Sequence, residues 1–105
     1  MTDLTTIARP YAQAAFQYGS ENKMLDEWQV FLLTLSEALK YPEVQTFLKN
    51  PTFSDDQQIE FCAQLLSREI DTPQKNFLAI LAQNNRLIAM PAIFQITRDV
   101  LQTTS

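Results

Sequence analysis

Apolar positions recur at helical spacing along most of the chain. Between Met24 and Leu39, apolar side chains follow one another three or four residues apart, as on the buried stripe of a surface helix. Similar stripes, separated by short segments with helix-ending or helix-starting residues, predict six helices, at about residues 4–19, 24–39, 42–49, 54–68, 73–84 and 86–102. The connections between them are short. We therefore expect an all-α fold, a six-helix bundle in a single domain over residues 1–105.

Local signals indicate where several of these helices begin. Pro42 suits the first position of the third helix, where its missing N–H removes no helical hydrogen bond. Ser54 followed by Gln57 predicts a capping box that opens the fourth helix. Thr72 is predicted to cap the fifth helix, with Pro73 as its first residue.

Other boundaries depend on proline, glycine and asparagine. The first helix either starts near Leu4 and is kinked at Pro10, or starts at Thr6 with Pro10 in its first turn. Gly19-Ser20 is predicted to end this helix or to begin its end. The fifth helix is predicted to end at Asn84-Asn85, because asparagine tolerates the left-handed position that follows a helix.

The first predicted helix is apolar over roughly 200° of its circumference, whereas contact with one core needs only ~100°. One edge carries Ile7, Tyr11, Ala14 and Tyr18, and the adjoining edge carries Ala8, Ala12, Ala15 and Phe16. Two interpretations fit this pattern. The helix is central in the bundle, with its tyrosines as rim residues, or one edge seals the core while the other binds a partner.

The fifth predicted helix shows a similar surplus of apolar surface. Leu78, Leu81 and Ala82 make one face, while Phe77 and Ile80 point to the other. The polar residues on that second side are uncharged: Asn76, Gln83 and Asn84. Either this helix is buried in the centre of the bundle, or it forms a groove with the first helix that fits an amphipathic partner helix.

Composition excludes several classes of chemistry. The chain has no histidine, no glycine-rich phosphate loop and no zinc-ligand spacing, so we expect no catalytic site, cofactor or metal. The single cysteine, Cys62, lies on a predicted core face, where a structural thiol is expected. The longest apolar run, residues 77–82, is far shorter than a membrane span, and no direct membrane insertion is expected.

The charge pattern disfavours nucleic acid as a partner. The net charge is −4, and the eight basic residues are scattered, whereas a phosphate-binding surface needs clustered basic charge. A small RNA-binding helical bundle of the antitermination type nevertheless has a similar size and helix content. It stays as the alternative function.

Two blocks of the sequence resemble a known family. Residues 7–16, Ile-Ala-Arg-Pro-Tyr-Ala-Gln-Ala-Ala-Phe, are similar to the opening helix of the delta subunit of bacterial F-type ATP synthases. The mitochondrial counterpart is the oligomycin-sensitivity-conferring protein. Residues 77–87, Phe-Leu-Ala-Ile-Leu-Ala-Gln-Asn-Asn-Arg-Leu, followed by Met90-Pro91, resemble a second family block. Trp28 stands where many bacterial members carry tryptophan, and Asn85 stands where they usually carry glycine.

The resemblance implies a non-catalytic role in ATP synthesis. Such a domain is expected to be the N-terminal helical domain of the subunit, monomeric in isolation, on top of the catalytic head at the cytoplasmic face of the bacterial inner membrane. It is expected to bind the N-terminal helix of an alpha subunit and to act as a stator component. The second domain of the family, which contacts the b subunits of the peripheral stalk, is expected to be absent from these 105 residues.

The resemblance also implies where the partner helix binds. The family places its groove between the first and fifth helices. Carried over to this sequence, the groove residues are Ile7, Tyr11, Ala14 and Tyr18 on the first helix, and Phe77, Ile80 and Asn84 on the fifth.

Overall fold

The computed structural model describes residues 4–67 and 70–104, which form six α-helices and one 3-10 turn. The helices are α1 (Leu4–Glu21), α2 (Leu25–Ala38), α3 (Pro42–Lys49), α4 (Asp55–Leu66), α5 (Thr72–Gln83) and α6 (Met90–Thr104), and the 3-10 turn is Leu87–Ala89. The described residues contain no strand. The predicted all-α bundle of six helices is confirmed.

The core lies where α6 packs against α1 and α2, and it continues to α4 and α5. Its most deeply buried large apolar side chains are at most 1% exposed: Phe31, Leu32, Leu78, Leu81, Met90 and Ile93. Thr97 of α6 is also buried, which the apolar pattern did not predict. Its hydroxyl donates to the carbonyl of Ile93 at 2.8 Å, so this core position costs no unpaired polar group.

A stripe of small residues lets α1 approach its neighbours closely. Ala8, Ala12, Ala15 and Gly19 are all buried. A Cβ atom at Gly19 would lie only 3.3 Å from the Cα of Leu25 at the start of α2. One of the two apolar edges predicted for this helix therefore seals the core. On the other edge Ala14 is exposed, whereas Ile7, Tyr11 and Tyr18 are half-buried.

Two predicted helix starts are confirmed in detail. Pro42 is the first residue of α3. At α4 the Ser54 hydroxyl accepts from the backbone N–H of Gln57 at 3.2 Å, and the Ser54 N–H donates to the Gln57 side chain at 2.8 Å. This reciprocal pair satisfies two backbone donors that the helix itself leaves free.

The predicted bounds of the first helix are wrong at its end. Pro10 lies inside α1, which is helical from Leu4, and Gly19 does not terminate it. The chain turns at Lys23, whose φ is 57°, and the Met24 N–H donates to the Gly19 carbonyl at 2.7 Å. This is a Schellman cap with lysine in the left-handed position. Gly19 is needed for close packing rather than for the turn.

The fifth helix begins one residue earlier than predicted. Asp71, not Thr72, is the cap, and its carboxylate accepts from the Gln74 N–H at 2.9 Å. The predicted end is confirmed: Asn85 has φ 56°, and the Arg86 N–H donates to the Leu81 carbonyl at 2.7 Å. The helix therefore closes with a second Schellman cap that uses no glycine.

Two more predicted bounds need correction. The expected helix over residues 86–102 is broken, because Leu87–Ala89 is a 3-10 turn and α6 starts at Met90. In a continuous α-helix the ring of Pro91 would clash with the carbonyl of Leu87. Helix α4 ends at Leu66, with Ser67 in a left-handed cap. The predicted end at residue 68 lies outside the described residues.

No single helix in the described part of the chain is long and apolar enough to cross a membrane. One helix pair, Thr72–Gln83 with Leu87–Gln102, meets the length and composition criteria together, but it is bent by 113° at its break.

We expect Asn85→Val to lower the free energy of unfolding by about 1–2 kcal/mol, because a β-branched residue is strained in the left-handed region. Asn85→Gly should leave stability unchanged or raise it slightly. Urea unfolding followed by far-UV circular dichroism measures both. Gln83→Val, on an exposed position of the same helix, is the matched control and should cost only a few tenths of a kcal/mol. Equal losses for the two valine variants would contradict the assignment of Asn85 as the cap.

Candidate partner-binding groove

An open groove of about 410 Å³ lies between α1 and α5. Its lining residues come from three helices: Ala14 and Tyr18 of α1, Trp28 of α2, and Pro73, Asn76, Phe77 and Ile80 of α5. Within the described residues, the backbones of α1 and α5 hardly approach each other. Helix α2 packs against α1 beneath the groove. None of the lining residues is charged. We call this surface the α1–α5 groove.

Trp28 forms the floor of the groove. It is 3% exposed, and its ring centroid lies 5.4 Å from Tyr18, 5.3 Å from Phe77 and 5.3 Å from Phe31. The contacts with Phe31 and Phe77 are edge-to-face, an arrangement worth about 0.5–1.5 kcal/mol per pair beyond the area it buries. This ring cluster joins α1, α2 and α5, and so it fixes the two sides of the groove to the core.

The sides of the groove carry exposed apolar side chains. Ile80 is 49% exposed, while its neighbour Leu81 is 0% exposed. Ala14 is exposed, whereas Ala15 beside it is buried. Successive helical residues point in directions ~100° apart. In each of these two pairs, therefore, one residue faces the core and its neighbour faces the groove. The surplus apolar surface predicted for both helices is therefore exposed at Ala14 and Ile80.

The structure brings four of the seven predicted groove residues together: Ala14, Tyr18, Phe77 and Ile80. Ile7 and Tyr11 are half-buried on the N-terminal half of α1 and do not line the groove. Asn84 is exposed at the end of α5, where its amide donates to the Ile80 carbonyl at 2.9 Å. All seven positions stay predictions about the partner complex.

Sequence reasoning missed two lining residues, Trp28 and Pro73, whereas it places Asn76 on the side of the fifth helix that carries Phe77 and Ile80. Trp28 lies on the core stripe of α2, as predicted, and nothing in that stripe shows that it also lines a groove. A signal existed for Pro73. It precedes Phe77 by four residues, which places both on the same edge of a helix.

Two other surface cavities are larger but carry charges of both signs. A cavity of about 510 Å³ at α4 and α5 is lined in part by Asp56, Glu60 and Lys75. One of about 570 Å³ between α2 and α6 includes Glu37, Lys40 and Arg98, and the Lys40 ammonium lies 3.0 Å from the Glu37 carboxylate. Such mixed polar surfaces are typical of solvated faces. The α1–α5 groove differs because its lining is uncharged.

Cys62 is confirmed as a structural thiol. Its side chain is 2% exposed on α4, and burial raises its pKa from 9.0 to about 12. A thiol that stays protonated at neutral pH is a poor nucleophile and a poor metal ligand. Within the described residues, no group of three or more potential metal ligands occurs.

Comparison with known proteins identifies the family. Residues 7–104 match the family described as ATP synthase delta (OSCP) subunit. The chain belongs to this family. The ATP synthase subunit delta of Acinetobacter baylyi is 40% identical over 93 residues, which cover 89% of this chain and 52% of the relative. The ATP synthase subunit delta of Francisella tularensis subsp. novicida is 39% identical over 93 residues, covering 89% and 51%.

The family resemblance predicted from residues 7–16 and 77–87 is thereby confirmed, and the chain is similar to a subunit of the F-type ATP synthase. It spans about half the length of the relatives that it matches.

We expect Ala14→Asp and Ile80→Asp to lower the free energy of unfolding by about 1 kcal/mol or less, because both side chains face water. Leu81→Asp should unfold the domain, since it buries an unpaired carboxylate at a position that is 0% exposed. Chemical denaturation of the three variants measures the difference. If Ile80→Asp and Leu81→Asp lower the free energy of unfolding by comparable amounts, the groove is not open in solution.

We expect the Cys62 thiol to resist alkylation by iodoacetamide at about pH 8 in the folded protein and to react readily in urea, because burial removes the thiolate.

The raised pKa of the Cys62 thiol also makes the free energy of unfolding depend on pH. The stabilisation by the buried, protonated thiol is fully present below pH 9.0 and is lost as pH rises toward about 12. In that range Cys62 of the unfolded chain loses its proton, whereas Cys62 of the folded chain keeps it. Cys62→Ala, measured in parallel, should lack this part of the alkaline loss.

Proposed function

We propose that this chain is a non-catalytic stator component of an F-type ATP synthase, and that its α1–α5 groove binds the N-terminal helix of an alpha subunit. The observation that carries the proposal is the open, uncharged groove with Ile80 49% exposed on its side. Tyr18, Phe77 and Ile80 line one concave, largely apolar surface, and an amphipathic helix is the kind of partner that such a groove binds. The family match supplies the context of the ATP synthase.

The shape of the groove favours a helix as the occupant. Its two sides are helices, and its floor is an aromatic cluster. Its lining is apolar except for two neutral polar side chains, Tyr18 and Asn76. An amphipathic helix binds such a groove through side chains spaced three or four residues apart. A third helix between α1 and α5 would cover the exposed parts of Ala14 and Ile80.

The proposed role is mechanical. Binding on top of the catalytic head would hold the head against rotation while the central stalk turns, and this links the head to the peripheral stalk and supports proton-driven ATP synthesis. Contact with the b subunits, and the peripheral position at the cytoplasmic face of the inner membrane, belong to the same proposal. The groove supports this mechanical role because Trp28, which forms its floor, connects both of its sides to the core.

A peptide copy of the N-terminal segment of the alpha subunit tests this proposal. We expect it to bind the wild-type chain and to change the fluorescence of Trp28, which lines the groove. Ala14→Asp or Ile80→Asp should weaken binding by several kcal/mol, since each places an unpaired carboxylate in an apolar contact.

Val30→Asp provides the matched control. Val30 is 55% exposed on α2 and does not line the groove, so the same substitution there should leave peptide affinity unchanged. The proposal fails if the peptide does not bind, or if the Ala14 and Ile80 variants bind it as well as the Val30 variant does. Salt-dependent binding of RNA without peptide binding would favour the alternative function.

A further inference from the structure

We infer that a second surface of the chain, between α3 and α4, binds a basic segment of a partner protein through an arginine side chain. The guanidinium of this arginine stacks on phenylalanine rings and pairs with the Glu60 carboxylate. The inference is independent of the proposed function, because no residue that lines this surface lines the α1–α5 groove. It rests on the stacking of three rings, the cavity beside them and the charge at its edge.

Three phenyl rings at this surface pack differently from the rings of the core. The Phe47 ring centroid lies 4.0 Å from that of Phe53, with an interplanar angle of 19°, and 4.2 Å from that of Phe61, with an angle of 28°. We call these residues the phenylalanine stack. Ring faces are negative, so near-parallel rings are less favourable than the edge-to-face contacts of Trp28. A cation against an outer face of the stack is attracted by that face and offsets the repulsion.

Solvent reaches the phenylalanine stack through an open cavity. All three rings are half-buried, and they line a cavity of about 350 Å³ together with Gln57, Glu60 and Gln64. A cavity of ~150 Å³ holds a benzene molecule, and a guanidinium is a smaller flat group. The cavity therefore has room for an arginine head group beside the rings.

The charge at this cavity is negative. Glu60 is exposed at its edge, and Asp56 is exposed one helical turn earlier on α4. No basic side chain of the described residues forms an ion pair with Glu60. Lys75 shares the neighbouring cavity with Glu60 but does not line this one, and neither does Lys49 at the end of α3. The lining thus carries one negative charge and no positive one, which favours a cationic partner group.

An arginine fits the rings and the carboxylate at the same time. Its guanidinium is planar and weakly hydrated, so it stacks on aromatic faces while its N–H groups donate to a carboxylate. A lysine ammonium is compact and strongly hydrated, so it pairs with the carboxylate but stacks less well. An apolar helix would cover Glu60 without giving it a partner, at a cost in desolvation.

Hexaarginine and hexalysine peptides test this inference when each is titrated into the wild-type chain at about 25 mM sodium chloride, where ionic contacts are weakly screened. Nuclear magnetic resonance of the phenylalanine ring signals gives the dissociation constants. We expect hexaarginine to shift the signals of the phenylalanine stack and to bind about three- to fivefold more tightly than hexalysine. Equal affinity for the two peptides, or no shift of these rings, would overturn the inference without affecting the proposed function.

Removing the outer rings tests the stacking. Phe53 lies in the connector between α3 and α4, and Phe61 is half-buried on α4. The double variant Phe53→Leu, Phe61→Leu keeps apolar side chains at both positions, and circular dichroism checks that its helix content is unchanged. Its preference for hexaarginine over hexalysine should disappear, because no aromatic face is left at either end of the stack. A preference of the wild-type size would overturn the inference.

Two matched substitutions test the carboxylate, and both are at exposed positions where folding is not at risk. Glu60→Gln should weaken the binding of both peptides by about threefold. Glu27→Gln, on α2 and outside the cavity, changes the net charge equally and should leave both affinities unchanged. Equal weakening in the two variants would show that the peptides are attracted by the net charge of the chain alone, and it would overturn the inference.

Discussion

The burial of Trp28 against Tyr18, Phe31 and Phe77 is the interaction on which both the bundle and the groove depend. The indole occupies the space beneath α1 and α5, two helices that make little direct contact with each other. A tryptophan in such a position contributes several kcal/mol, and truncation to alanine typically costs ~3–5 kcal/mol. The same side chain therefore stabilises the fold and sets the width of the concave surface above it.

Helix α5 carries two sets of side chains under different constraints. Leu78 and Leu81 are inaccessible and must fit the core, whereas Ile80 is exposed at the groove. The periodicity of the sequence distinguishes these two faces. The groove residues Ala14, Tyr18, Phe77 and Ile80 are expected from the family resemblance, and they stay predictions. Periodicity does not reveal where along α1 the groove stops. The edge with Ile7 and Tyr11 continues beyond the lining that α5 provides, and only the packing of the helices determines that limit.

Local signals predicted the boundaries well where one residue type has one use. Ser54 and Gln57 form a capping box from residues that are only three apart in the sequence, so the pattern can be recognised locally. Gly19 misled the prediction because glycine serves either a left-handed turn or a close approach of two backbones, and here it serves the second, against Leu25. The left-handed position fell to Lys23 instead, a choice that no local pattern marks.

The groove is assembled from segments that are far apart in the sequence: its sides come from α1 and α5, and its floor comes from α2. Such a surface does not exist in the unfolded chain, so an occupant binds the folded chain in preference to the unfolded one. By mass action, an occupant present at 100 times its dissociation constant adds ~2.7 kcal/mol to the stability of the native state. Occupancy of the groove thus favours the state in which α1, α2 and α5 are packed together, so the same contact that holds an occupant also ties together three helices that are distant in sequence.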